Sequence, residues 1–231
     1  MRKICKSPVV PETLQSAPRP TSSHAVEPRY YKAPDVRQQL IADQHSKCAY
    51  CEAIIAKEYN DVEHFRPKSI YYWLGHDWSN LLYSCNVCNR TFKKNQFPLK
   101  GAPNYKKIAL EKPLIINPAE VDPLDHIAFN RHIAVPKMVD GKEDEVGRTT
   151  IDLFQLNNRE KRPALVNQRE QLFDQYTRAR NAIRIAQQML MNGSAKKDEC
   201  LKLIAACTDM IDSMISPSHA FSGMLIGQTG V

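Results

Sequence analysis

The sequence predicts an α+β protein in three parts: an extended N-terminal arm, a compact cysteine-stapled core and a helical C-terminal region. Three observations predict it. Prolines crowd the first 34 residues, two C-x-x-C pairs fall within residues 48–88, and leucine, isoleucine and alanine recur at helical spacing after Gly147. The parts divide as 1–34, 35–110 and 111–231.

The 231 residues are 42% hydrophobic and 25% charged, which suits a folded chain and is too apolar for a wholly disordered one. No run approaches the roughly 18–20 apolar residues of a spanning helix, so the expectation is no membrane association. The start, MRKICKSPVVPETLQ, carries charge but no apolar stretch of signal-peptide type, which points to a cytoplasmic protein. Lys and Arg total 32 against 25 Asp and Glu, a net charge of +7 that suits an anionic partner such as nucleic acid.

In chain order, the arm comes first. Pro8, Pro11, Pro18, Pro20, Pro28 and Pro34 fix φ and remove backbone donors, so this stretch is expected to be extended, without a packed core of its own. Tyr30 and Tyr31 give it something to bury on a partner. From Asp35, DVRQQLIADQHSK reads as a helix with Val36, Leu40 and Ile41 on one face. Residues 101–146 read as irregular, with a short strand or two between His132 and Val139. A long helix over about 160–191, a turn at NGSAKKD and a second helix over about 197–215 follow. Cys200 and Cys207, on that second helix, read as small apolar core residues.

The pairs Cys48-Ala49-Tyr50-Cys51 and Cys85-Asn86-Val87-Cys88 carry the first chemistry. Two thiolates on one tight turn reach one ion, and two such turns complete the tetrahedral four-sulfur shell that structural zinc prefers. A redox pair or unmetallated core thiols are the alternatives. In a chain with no export signal, the pattern reads as metal ligation and not as disulfides. Four ligands leave no open position, so this zinc would clamp the fold and perform no reaction.

Between the pairs lies Asp61-Val62-Glu63-His64-Phe65-Arg66-Pro67-Lys68, then Trp78-Ser79-Asn80-Leu81-Leu82, and Asn89 directly follows the last cysteine. This arrangement resembles the HNH endonucleases of the ββα-metal type, with His64, Asn80 and Asn89 at the three signature positions. The longer run K-C-A-Y-C-E, D-V-E-H-F-R-P-K and W-S-N-L-L-Y-S-C-N-V-C-N-R resembles a narrower group. These are the PtuB-type HNH nucleases of the Septu anti-phage system, paired with the ATPase PtuA, some of which act as retron effectors. The resemblance is strongest over residues 47–100, continues loosely through residues 113–118 and 150–157, and contributes nothing specific to the first 34.

The resemblance implies a metal-dependent endonuclease that hydrolyses phosphodiester bonds as the effector of a hetero-oligomeric defence complex. Its partners would be a PtuA-type ATPase subunit and, where a retron is involved, a reverse transcriptase with its msDNA. The residue chemistry fits. His64, with an ordinary pKa of about 6.5, suits the base that deprotonates water. Glu63 and Asn89 offer oxygens that suit Mg²⁺ or Mn²⁺. Asn80 is placed to accept a hydrogen bond from the imidazole and fix its tautomer.

Two departures stand out: Glu63 replaces the more usual Asp, and Asn89 the more usual His. Strand alternation also puts Glu63 and His64 on opposite faces, so they share a site only if the chain bends or bulges. Two other readings stay open: the same nuclease acting on RNA such as tRNA, or a non-catalytic zinc-stabilised adaptor that binds nucleic acid and the ATPase.

Arg66, Lys68, Arg90, Lys93 and Lys94 flank the hairpin and read as phosphate grips that position a backbone without reading sequence. Arg178, Arg180 and Arg184 read as an ordinary exposed helix face. His45, His76, His126, His132 and His219 match no motif position and read as surface or packing residues. No recognition helix or aromatic stacking module is evident in the sequence.

Overall fold

The computed structural model describes residues 1–56, 60–193 and 195–228. The first 34 residues depart from the extended arm expected of them. Short helices α1 (Glu12–Gln15) and α2 (Pro28–Tyr31) interrupt the segment, and Ile4, Leu14, Val26 and Tyr31 are buried in the common core. Proline permits this because Pro11 sits at the N-cap of α1 and Pro28 in the first turn of α2, where a missing N–H costs nothing. The segment has no core of its own. Its isolated apolar residues lodge in one built by the rest of the chain, and Ile4 N–H donates to the Pro118 carbonyl at 2.8 Å.

Helix α3 (Pro34–Asp43) starts at another first-turn proline and buries Val36 and Leu40. Asp35 in its first turn accepts from the Thr13 N–H at 3.0 Å, which ties α1 to α3. Strands β1 (Asn60–His64) and β2 (Leu81–Cys85) pair antiparallel, with Glu63 opposite Leu82 and His64 opposite Leu81. After Cys85 the chain turns at once into a π-helical segment, Val87–Lys93. A strand pair followed by one helical segment thus forms the middle of the molecule.

Two smaller ribbons lie beyond it. β3 (Ile127–Asn130) pairs with β4 (Ile133–Pro136), and β5 (Met138–Val139) with β6 (Lys142–Glu143). Helix α4 (Glu145–Leu153) is capped by Asp144, which accepts from the Gly147 N–H at 2.6 Å. Gly147 is needed here, since a β-carbon would run into the His126 carbonyl.

Helices α5 (Pro163–Met191) and α6 (Lys197–Ile215) fold back on each other as a hairpin. Ser194, within the expected turn, lies outside the described residues. Ala179 and Ala186 line the seam on α5, and Cys200, Cys207 and Met214 on α6, each series stepping by seven as helix pairs require. Both cysteines are buried packing residues.

Helix α7 (Ser222–Ile226) then returns to the first cysteine turn. The Glu52 carboxylate accepts from the Gly223 N–H at 3.0 Å and the Ser222 hydroxyl at 3.1 Å, and its carbonyl accepts from the Phe221 N–H at 3.3 Å. Among the described residues, no helix is long and apolar enough to cross a membrane.

Candidate metal centre and reactive hairpin

The turn at 48–51 and the start of the π-helical segment bring four sulfurs together. One ligand atom from each of Cys48, Cys51, Cys85 and Cys88 lies within 4.8 Å of the others, and the Cys51 and Cys85 sulfurs are 3.9 Å apart. A tetrahedral zinc with bonds of about 2.3 Å sets its sulfurs about 3.8 Å apart, so the donor set fits. Cys85 N–H points at the Cys48 sulfur and Cys88 N–H at the Cys85 sulfur, both at 3.4 Å.

A guanidinium from outside the motif joins them. Arg162, just before α5, donates to the Cys88 sulfur at 3.5 Å and to the Phe154 carbonyl at 2.9 Å. Crowding separates the four acidities. Hydrogen bonds from Cys48, Cys85 and Cys88 pull Cys51 well below an ordinary thiol, while burial pushes Cys88 well above one. Loading an ion therefore releases protons. The cluster is capable of holding a metal and supports a structural zinc site.

His64 ends β1 and is 6% exposed. Its Nε2 lies 2.9 Å from the Gly75 carbonyl. A carbonyl oxygen only accepts, so Nε2 carries the hydrogen and Nδ1 is left with the lone pair. The Tyr31 ring and the imidazole pack in a T-shaped arrangement, with centroids 4.6 Å apart. Burial drives the imidazole pKa down to about 3, and the Gly75 bond offsets this only in part. His64 is thus neutral across the physiological range, in contrast to the titration near 6.5 expected from the sequence.

Asn80 is not bonded to that ring. Its Oδ1 accepts from the Arg66 N–H at 2.8 Å, and its Nδ2 donates to the Arg66 and Leu74 carbonyls at 3.1 and 3.2 Å. It clamps both ends of the loop that delivers Gly75, so the tautomer is set by a backbone carbonyl one step away.

Glu63 faces the other side of the strand. The register is regular through residues 60–64, and the bulge that would unite Glu63 with His64 does not form. Glu63 is 3% exposed, and its Oε1 meets the Lys93 ammonium at 2.6 Å and the Tyr50 hydroxyl at 3.4 Å. Burial pushes its carboxyl up despite the pull of Lys93. Lys93 is fully buried and also donates to the His64 carbonyl at 3.0 Å. It therefore does not stand at the surface as the expected phosphate grip would.

Asn89 is half-buried one turn earlier in the same segment. The other basic residues divide. Arg66 pairs with Glu111, Lys68 donates to the Tyr31 hydroxyl at 3.1 Å, Arg90 holds Asp61 through two bonds at 2.8 and 2.5 Å, and Lys94 is exposed. His76, which the sequence reads as a surface or packing residue, anchors the N-terminal segment. Its Nδ1 donates to the Pro18 carbonyl at 2.8 Å, and its Nε2 accepts from the Glu27 N–H at 3.0 Å.

Fold and site together define a mixed α+β protein with a four-cysteine cluster able to coordinate a metal. The chain is 36% identical over 148 residues to the Septu protein PtuB of Bacillus mycoides (strain KBAB4), a match covering 56% of this chain and 49% of that protein. It is likewise 36% identical over 126 residues to the Septu protein PtuB of Bacillus thuringiensis, covering 54% and 42%. This homology supports assignment to the PtuB family of Septu proteins. The chain spans about half the length of the curated relatives it matches. No family model matches the sequence.

Proposed function

We propose that this chain is an HNH-type endonuclease, the effector of an anti-phage defence complex with a PtuA-type ATPase, and that His64 is its general base. One observation carries the reading: Nε2–H is committed to the Gly75 carbonyl, so Nδ1 is the atom available to take a proton from water. The surroundings support it. His64 ends the first strand of a strand pair, a helical segment follows the second strand, and the cysteine cluster staples the two. The homology to PtuB supports the defence setting and the ATPase partner, and the α5–α6 hairpin is the proposed docking element.

The divalent ion implied by the resemblance finds no ready seat. Glu63 Oε1 is held by Lys93, so Glu63 and Asn89 would serve Mg²⁺ or Mn²⁺ only after that ion pair opens. Two facts favour the adaptor as second reading: His64 packs against Tyr31, and Glu63 is engaged by Lys93.

The test is cleavage of DNA and RNA by the chain together with its ATPase. His64→Ala is expected to lower the rate by roughly 10²–10⁴-fold with zinc content unchanged. A wild-type rate in the His64→Ala complex would replace the nuclease with the adaptor.

A further inference from the structure

An aromatic cluster beside the hairpin is invisible in the sequence because its members come from two separate stretches. Tyr71 is its buried anchor. The Trp73 and Tyr105 rings pack on Tyr71, both with centroids 5.6 Å away, and lie 6.3 Å from each other. Tyr72 meets Trp73 edge-on at 5.2 Å. Tyr105 is 53% exposed and Trp73 partly so, which leaves ring surface facing water.

The loop carrying Tyr105 is held in place by one carboxylate. Glu111 accepts from the Tyr71 hydroxyl at 3.0 Å and the Asn104 N–H at 2.8 Å, and pairs with Arg66. Around the rings the loop is basic. Lys106, Lys107 and Lys112 are exposed and make no ion pair among the described residues. Chain connectivity ties the cluster to the His64 hairpin: Trp73 lies two residues before Gly75, whose carbonyl holds the imidazole, and Arg66, which pairs with Glu111, lies two residues after His64.

We propose that Trp73 and Tyr105, with Lys106 and Lys107, form a stacking platform that holds unpaired nucleobases of a single strand next to His64. The inference rests on the nuclease reading for its purpose, and on ring geometry and charge for its binding. Stacking explains why aromatic rings are left open to water among lysines: the rings take base faces and the ammonium groups take phosphates. A duplex hides its base faces and has only the lysines to offer contacts.

The test uses the full chain without ATPase or added divalent ion. Fluorescence anisotropy reads its binding to labelled oligo(dT) and oligo(rU) of about 12 nucleotides, and to a duplex of equal length. The two single strands distinguish which sugar is preferred. Tyr105→Ala and Trp73→Ala are each expected to weaken single-strand binding by about 5- to 150-fold, the range for one lost stack, and to leave duplex binding nearly unchanged. Trp73→Phe keeps a ring and is expected to retain affinity while losing the tryptophan quenching that the oligonucleotide causes. Trp78, buried with its Nε1 on the Ser7 carbonyl, is not expected to report the strand.

Undiminished single-strand binding in both alanine variants, or an equal loss on duplex, overturns the platform. The nuclease reading fails separately, by absence of cleavage in the complex, and that result leaves the binding comparison intact.

Discussion

Gly75 brings no side chain to the reactive hairpin, yet its carbonyl decides which nitrogen of His64 carries hydrogen, while burial decides that the ring stays neutral. The second effect has a measurable sign. Above pH 6.5 the imidazole is neutral in both folded and unfolded chains and adds no pH dependence. Between pH 6.5 and about 3 the unfolded chain binds a proton that the folded one refuses, so stability falls with pH by up to about 1.4 kcal/mol per unit. Urea titrations at about pH 7.5 and 5 should show this fall, and His64→Gln should make it shallower. An unchanged slope would show that His64 charges freely in the fold.

The buried Glu63–Lys93 pair yields a second prediction. Lys93→Met leaves a carboxylate buried without its cation and should cost about 3–5 kcal/mol in denaturant unfolding, with Glu63→Gln in the same chain recovering part of the loss. Of the site, the four cysteines were legible from spacing. Lys93 was not, because lysine next to a basic neighbour reads as surface, and only the fold puts Glu63 beside it. Nor was the Gly75 carbonyl, since a backbone acceptor has no sequence signature.

Among the elements, the two long helices were legible because their apolar positions recur with helical period and proline is absent from their interiors. The structure starts the first at Pro163, where the ring's fixed φ suits a first turn. The burial of the N-terminal segment is not legible, for the opposite reason. Ile4, Leu14 and Val26 sit too far apart to make a pattern, and their burial is decided by groove positions on other elements.

Arg162 links the long helix to the cysteine cluster, and that contact is testable. A tetrathiolate zinc carries excess negative charge, which a buried guanidinium at Cys88 offsets. Arg162→Met should therefore weaken zinc binding by about 10–100-fold, as loss of a partner of a metal ligand typically does. Competition with a chelator reads this directly, and equal affinity in the variant would reduce Arg162 to a cap on the Phe154 carbonyl.

Across the whole molecule, the cysteine cluster joins parts distant in sequence: the turn after α3, the end of β2, and the start of α5 through Arg162. Metal analysis should find about one zinc per chain. Chelation should abolish the cooperative unfolding transition instead of merely lowering its midpoint, since structural zinc supplies folding free energy outright. Circular dichroism melts with and without chelator decide this, and a metal-free chain that still melts sharply would remove the staple from the account of the fold.

The contacts between Glu52 and α7 bear on the order of events during synthesis. Glu52, the residue after Cys51, takes its hydrogen bonds from Phe221, Ser222 and Gly223, and Lys47 donates to the His219 carbonyl at 3.1 Å. A ribosome delivers the reactive hairpin long before those residues, so a growing chain carries His64 while the first cysteine turn still lacks its partners. The turn should close only after residues 219–223 have emerged. Chains truncated before Pro217 are therefore expected to be cut by protease near Glu52, and the 231-residue chain to resist. The β1–β2 hairpin would thus acquire its finished surroundings only after residues far beyond it in sequence have been delivered.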